Sequence, residues 1–173
     1  MSTFREISAR EEWTKSPYDR FHKDWALLGA QKSDGSVNMM TISWGGVGIM
    51  WHKPVVSVVV RSHRYTKEFI DNTDNFSLSF FDEEYRDKLL ICGKKSGRDI
   101  DKMKACEFTA QSIDGAPVFE QANSVLVCRK LFAQTMPPEN FIDKNLLDEF
   151  YSGDYAGKYH DIYFAEVLKA LVK

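Results

Sequence analysis

Apolar and polar positions along the chain alternate mostly with the period of strands. Trp25-Ala26-Leu27-Leu28-Gly29-Ala30-Gln31 reads as a buried strand closing on the turn Ser33-Asp34-Gly35-Ser36, and Val37 to Trp44 reads as its return strand. The glycines Gly45, Gly46 and Gly48 are expected to interrupt that return strand. Val55-Val56-Ser57-Val58-Val59-Val60 is the plainest strand, because a β-branched run packs poorly in a helix. Pro54 stands just ahead of it, where a missing N–H costs least. Asn75 to Phe81 is another strand, with Phe76, Leu78 and Phe80 on one face. Strands are expected again at Phe108 to Ile113 and at Ser124 to Gln134, the first followed by a turn Asp114-Gly115-Ala116-Pro117.

Helical signals are fewer and shorter. Thr66 reads as an N-cap ahead of Lys67, Glu68, Phe69 and Ile70. Glu83 to Lys95 carries Tyr85, Leu89 and Leu90 and closes near Gly93 or Gly97. Asn145 to Tyr151 is a short helix. In Asp161 to Val172, Ile162-Tyr163-Phe164 favour a strand and Ala165 to Leu171 would suit a helix; a strand is expected because the other strands need a partner. The chain up to about Asp24 is polar and irregular, a lead-in segment. Many short strands with few short helices indicate a mainly β fold, an antiparallel barrel or sandwich.

Composition adds bounds. The 173 residues, 43% hydrophobic and 28% charged, suit one domain over residues 1–173, with no internal repeat. A formal charge of -2 argues against nucleic-acid binding through bulk positive charge. No apolar run is long enough to span a bilayer, and Met1-Ser2-Thr3-Phe4-Arg5-Glu6 lacks the apolar stretch of a signal peptide. Cys92, Cys106 and Cys128 are odd in number and lack CxxC spacing, which favours a reducing cytoplasm over a disulfide framework or zinc site.

Three segments carry candidate chemistry. In Asn38-Met39-Met40-Thr41-Ile42-Ser43-Trp44-Gly45-Gly46, small hydroxyls and an aromatic precede paired glycines, which suits a flat heterocycle; a bulged hairpin strand is the plain alternative. Arg61-Ser62-His63-Arg64-Tyr65-Thr66 lies between a strand and a helix start, where two arginines, hydroxyls and free N–H groups suit a phosphate monoester; a capped helix with solvated arginines is the alternative. From Arg86 to Lys104 seven Lys or Arg face three Asp, a local excess of four positive charges in a slightly acidic chain. There Ser96-Gly97-Arg98 could wrap a phosphate, or the lysines could simply favour a helix end. Cys92 is expected to be a buried spectator thiol. The four histidines lack metal-ligand spacing, and no Ser sits in GxSxG. Neither GxGxxG nor GxxxxGK[ST] is present. Pro137 to Asp143 is expected to be a surface loop rather than a lid.

Taken in order, Asn38-x-Met40-Thr41-x-Ser43-Trp44, Lys53-Pro54 with a valine strand into Arg61-x-x-Arg64-Tyr65-Thr66, and Cys92-Gly93-x-x-Ser96-Gly97-Arg98-Asp99-x-Asp101-Lys102 resemble the flavin reductase-like family, which includes flavoredoxin-type FMN-binding proteins. A weaker match continues through Pro117-Val118-Phe119 and Val125 to Arg129 to the C-terminal strand. The resemblance implies a split, antiparallel, Greek-key-like β-barrel that binds FMN, a homodimer, and reduction of flavin by NADH or NADPH. Its alternative is an FMN electron carrier serving a protein partner. By position, Asn38, Met40, Thr41, Ser43 and Trp44 would follow the isoalloxazine and ribityl chain. Arg61, Ser62, Tyr65 and Thr66 would hold the phosphate from one side, with Ser96, Gly97, Arg98 and Lys102 completing the site. The flavin would perform the chemistry, which accounts for the absence of a visible triad.

Overall fold

The computed structural model describes residues 4–173, so the reading of Met1 to Thr3 lies outside the described residues. The chain opens with β1 (Arg5–Ile7), a helical turn α1 (Pro17–Asp19) and a π-helical turn over Arg20–Asp24. It continues through β2 (Ala26–Gln31), β3 (Val37–Ile42), β4 (Gly45–Met50) and β5 (Lys53–Arg61). Then follow α2 (Tyr65–Asp71), β6 (Asn75–Phe80), α3 (Arg86–Lys94), α4 (Lys102–Ala105) and the small hairpin of β7 (Ala110–Ile113) with β8 (Ala116–Phe119). The long β9 (Ser124–Thr135), α5 (Asn145–Phe150) and β10 (His160–Val172) complete it. The mainly β fold read from the pattern is the one observed.

Eight strands form one antiparallel sheet in the order β3-β2-β6-β9-β10-β5-β4, with β1 beside the far end of β10. β3 and β4 are consecutive in sequence yet occupy opposite edges and do not pair, so the barrel stays split rather than closed. Only Ser43 and Trp44 carry the chain from one edge to the other. β10 pairs with β9 from Asp161 to Val172, with β5 over His160 to Glu166, and with β1 over Ala170 to Val172. Its register against β9 shifts at Phe164/Ala165 and Val167/Lys169, irregularities that bend a strand and increase its twist.

The core lies on both sides of part of this sheet. Leu28, Met40, Val56, Val58, Val60, Phe76, Leu78, Phe80, Leu126 and Tyr163 fill the inside of the coil. The opposite faces of β2, β3 and β9 place Leu27, Met39, Val125 and Val127 against α3 and the β7–β8 hairpin, together with Leu89, Cys92, Cys106 and Phe119. Strands buried on both faces read as unbroken apolar runs, which is why Ala26–Leu28 and Val125–Cys128 stand out in sequence.

Several boundaries differ from the pattern reading. The glycines do not interrupt a strand but belong to β4, paired with β5 from Gly45↔Val58 to Met50↔Lys53. A Cβ at Gly45 would lie 2.6 Å from the Ser57 carbonyl oxygen and 2.7 Å from Phe21 Cε1, so a bare backbone is what lets this strand dock. β3 stops at Ile42, two residues short of the expected end. α2 starts at Tyr65 with Arg64 as N-cap, and Thr66 is buried inside its first turn. Ala116 and Pro117 belong to β8; the turn is confined to Asp114 and Gly115, both at positive φ. The lead-in segment contributes β1, and its Phe21 is buried in the core. Among the described residues no helix is long and apolar enough to cross a membrane.

Candidate functional site

The loops that leave β5 and α3 meet beside β3. Two cations satisfy carbonyls left open at the C-terminal turn of α3: Arg64 Nη1 donates to Gly93 O at 2.8 Å, and Lys102 Nζ donates to Cys92 O at 2.9 Å and to Met39 O at 2.8 Å. Lys102 is buried, and that burial brings its ammonium down to about 8, with Arg64 adding repulsion. Asn38 Nδ2 donates to Thr66 Oγ1 at 3.0 Å, a buried strut between β3 and α2. Gly97 packs directly on it: a Cβ there would lie 2.3 Å from Asn38 Oδ1. The Ser96 hydroxyl accepts from Arg98 N at 3.1 Å, which shapes the loop.

These contacts frame a cavity of about 120 Å³ lined by His63, Arg64, Tyr65, Thr66, Lys94, Lys95, Ser96, Gly97 and Lys102. Four of the nine are Lys or Arg and none is acidic. His63 reports the same field: burial lowers its pKa first, and Lys158, Arg64, Arg61 and Arg98 push it further down. The nearby acid, Glu68, is already ion-paired to Arg98, whose guanidinium lies 4.6 Å from the Tyr65 ring centroid. Uncompensated positive charge around a small polar cavity with a Ser hydroxyl is a site for a multivalent oxyanion.

A second cavity, of about 260 Å³, opens where β3 crosses to β4. Met40, Thr41, Ile42, Ser43, Trp44, Val59, Arg61 and His160 line it. The Trp44 ring is exposed, meets Phe150 edge-on at 5.2 Å, and lies 5.2 Å from His160. His160 is buried, with Nδ1 at 2.7 Å from the Tyr151 hydroxyl. Burial, then the positive charge of Arg61, brings its pKa down to about 4, so the imidazole is neutral at physiological pH. Arg61 donates to Lys158 O at 3.2 Å and to Phe150 O at 2.9 Å, holding the segment between α5 and β10 against this cavity.

The residues expected from sequence therefore divide. Tyr65, Thr66, Ser96, Gly97 and Lys102 line the cationic cavity, with Asn38 and Arg98 packed beside it. Met40, Thr41, Ser43, Trp44 and Arg61 line the second. Ser62 lines neither and is exposed at the turn, its N–H bonded to Tyr159 O at 3.0 Å. Arg64, one of the two arginines that the sequence marks as suited to a phosphate, lines the cationic cavity, as do Lys94 and Lys95, which the motif leaves unassigned. His160 gave no signal, because nothing in a strand sequence marks which polar residue the fold turns inward. The Pro137 to Asp143 segment is a surface loop with Ile142 fully exposed. A larger apolar cavity of about 480 Å³, lined by Trp13, Val47, Ile49, Leu126 and Val167, has one cation, Arg10, and shares no residue with either site cavity.

Asn38 packs beside the first cavity and Met40 to Trp44 line the second, so β3 and the crossover after it run past both. The fold is a split antiparallel barrel with a cation-lined cavity beside the start of β3 and an aromatic cavity at its end, a pairing whose chemistry suits an elongated ligand with an anionic group and a flat ring. The model of the flavin reductase like domain matches residues 18–173, and the chain belongs to that family. Among solved structures, an FMN-binding domain of flavin reductases-like enzyme from Shewanella baltica is similar with a TM-score of 0.68 and 17% identity, over 99% of this chain and 78% of that one. Flavoredoxin from Methanosarcina acetivorans gives 0.65 and 23%, over 87% and 68%. An FMN-binding protein from Thermus thermophilus gives 0.65 and 21%, over 96% and 82%. At these identities the likeness is one of fold. Among curated proteins, none matches this chain.

Proposed function

We propose that this chain is an FMN-binding oxidoreductase that accepts hydride from NADH or NADPH. The observation that carries the reading is a cation-lined cavity beside the start of β3 and an open aromatic one at its end, in a flavin reductase-like fold. The residues fit the cofactor. An FMN phosphate carries close to two negative charges, and Arg64, Lys94, Lys95 and Lys102 surround a cavity with no acid in its lining. Thr66, Ser96 and Lys102 would hold the phosphate, and Thr41, Ser43 and Trp44 would lie along the ribityl chain and ring. Bound FMN would supply two-electron chemistry that no side chain offers. His160 stays neutral and, fixed by Tyr151, gives the ring cavity a rigid wall without adding charge. Names of relatives support the cofactor: an FMN-binding domain and an FMN-binding protein are among the similar structures.

The likeness to flavoredoxins supports a second reading, an electron carrier that serves a protein partner. Ile49, Met50, Trp51, Leu131 and Phe132 are exposed apolar side chains on β9 and the β4–β5 hairpin, and a second copy of the chain is proposed to cover them. Three free cysteines suit a reducing, cytoplasmic setting. The test is to load the protein with FMN, remove free flavin, add NADH or NADPH without oxygen, and follow the visible flavin band. Rapid bleaching is expected and identifies the donor. A bound flavin that stays oxidised would overturn the reductase reading in favour of the carrier, and failure to retain FMN would overturn both.

A further inference from the structure

Two thiols that the proposed chemistry does not use sit at the base of the cationic loop. Cys92 lies in the last turns of α3, and Cys106 follows α4 directly. Their Sγ atoms are 3.6 Å apart, and both residues are fully buried. The chain between them carries Lys94, Lys95, Ser96, Gly97 and Lys102, which is most of the oxyanion cavity. The same corner is tied by the Lys102 ammonium, which holds Cys92 O. Cys128, the third thiol, is on β9 among the residues filling the inside of the coil, in the other core cluster.

We propose that Cys92 and Cys106 form a reversible disulfide that fastens the two ends of the phosphate-binding loop. The bond itself follows from the thiol geometry, whereas its effect on cofactor rests on the FMN reading. A disulfide needs its sulfurs about 2 Å apart, so the two centres must close by roughly 1.5 Å, within reach of side-chain rotation and a small shift of α4. The oxidant is a hydroperoxide. One thiol sulfur attacks the peroxide, its O–O bond breaks, and the products are a sulfenic acid and water. The second thiol then displaces the hydroxyl, which leaves as water, and the S–S bond forms. In sum two thiols lose two electrons and two hydrogens, hydrogen peroxide is reduced to two waters, and a dithiol reductant reverses the bond.

The enclosing core controls the rate. Burial pushes the Cys92 thiol up to about 12, so little thiolate exists while the fold is closed, and oxidation waits on opening of the α3–α4 segment. Once formed, the bond restricts the excursions of the loop and keeps its cations gathered, so FMN should leave more slowly.

The experiment treats the purified full-length chain with hydrogen peroxide, blocks remaining thiols by alkylation, and maps the peptides by mass spectrometry. Expected are Cys92 and Cys106 peptides joined and two hydrogens lighter, separated again by dithiothreitol, with Cys128 still reduced. The oxidised protein should melt roughly 5–10 °C higher and release FMN roughly threefold more slowly. Cys106→Ser should lose all three changes. Thiols that stay alkylatable, or that pass to sulfinic acid with no joined peptide, would overturn the proposal. So would a joined peptide with unchanged melting, or unchanged FMN release in a protein that binds FMN. If neither form binds FMN, the functional reading fails while peptide map and melting still decide the disulfide.

Discussion

Gly97→Ala is a small perturbation with a large expected effect. The added methyl would sit 2.3 Å from Asn38 Oδ1 and 3.0 Å from Tyr65 Cδ1. Asn38 cannot easily yield, because it is buried and its amide is committed to Thr66 at 3.0 Å. Either the strut breaks, at about 1 kcal/mol for the hydrogen bond, or the loop rises off β3 with an overpacking cost of about 1–3 kcal/mol. A stiffer unfolded chain returns about 0.4–1 kcal/mol, leaving a net loss near 1 kcal/mol for the raised loop. A raised loop also carries Lys95 and Ser96 away from the phosphate position, so FMN affinity should drop about tenfold or more. Urea unfolding and an FMN fluorescence titration would measure both. Gly93→Ala is the control, since its Cβ would meet Thr41 at an ordinary 3.4 Å inside a helix, where alanine is favoured. A Gly97→Ala protein within about 0.5 kcal/mol of the parent and with unchanged FMN affinity would refute the packing argument.

Arg98→Ala should weaken FMN binding several-fold with the fold intact, because it removes a cation and releases Glu68 as a free acid beside the cavity; Glu68→Gln should strengthen binding, and equal dissociation constants for the two variants would count against both roles. His160 is held neutral in the fold, with a pKa brought down to about 4 against about 6.5 when unfolded, so the unfolded chain binds the extra proton between those values. Stability should therefore fall as pH drops from 6.5 toward 4, by at most about 3 kcal/mol, and His160→Gln should flatten that slope in denaturation curves taken across this range. Lys102 loses its proton near pH 8 without ligand, so FMN affinity should fall as pH rises past 8, and in Lys102→Met the titrations should show a lower affinity without that step.

What could be read from sequence follows how strongly each segment's chemistry is local. The valines of β5 and the doubly buried runs of β2 and β9 announce strands through residue type alone. β4 was hidden because its glycines serve a docking requirement set by Phe21 and Ser57, both distant in sequence. β8 was hidden because Ala116 and Pro117 carry no strand propensity and are held by tertiary packing. The cationic loops were legible, since like charges concentrated in a short segment need a reason. Their division between two cavities was not, because Arg61 is drawn toward carbonyls of Phe150 and Lys158 that only the fold brings near. His160 carried no signal beyond a lack of metal-ligand spacing, and its place in the ring cavity depends on the Tyr151 hydroxyl and the turn of Trp44 out of β3.

The place of β10 in the sheet sets an order of events during synthesis. The β4–β5 hairpin joins the rest of the sheet only through β10, since β9 has no other partner on that side. A nascent chain that has extended past β9 can form the β2–β3 hairpin and pair β6 with β9, but the long edges of β9 and β5 stay open until residues 160–172 leave the ribosome. Such edges invite pairing with other chains. The half-made protein should thus depend on chaperones far more than the finished one, and premature termination before His160 should yield aggregates rather than a smaller folded species.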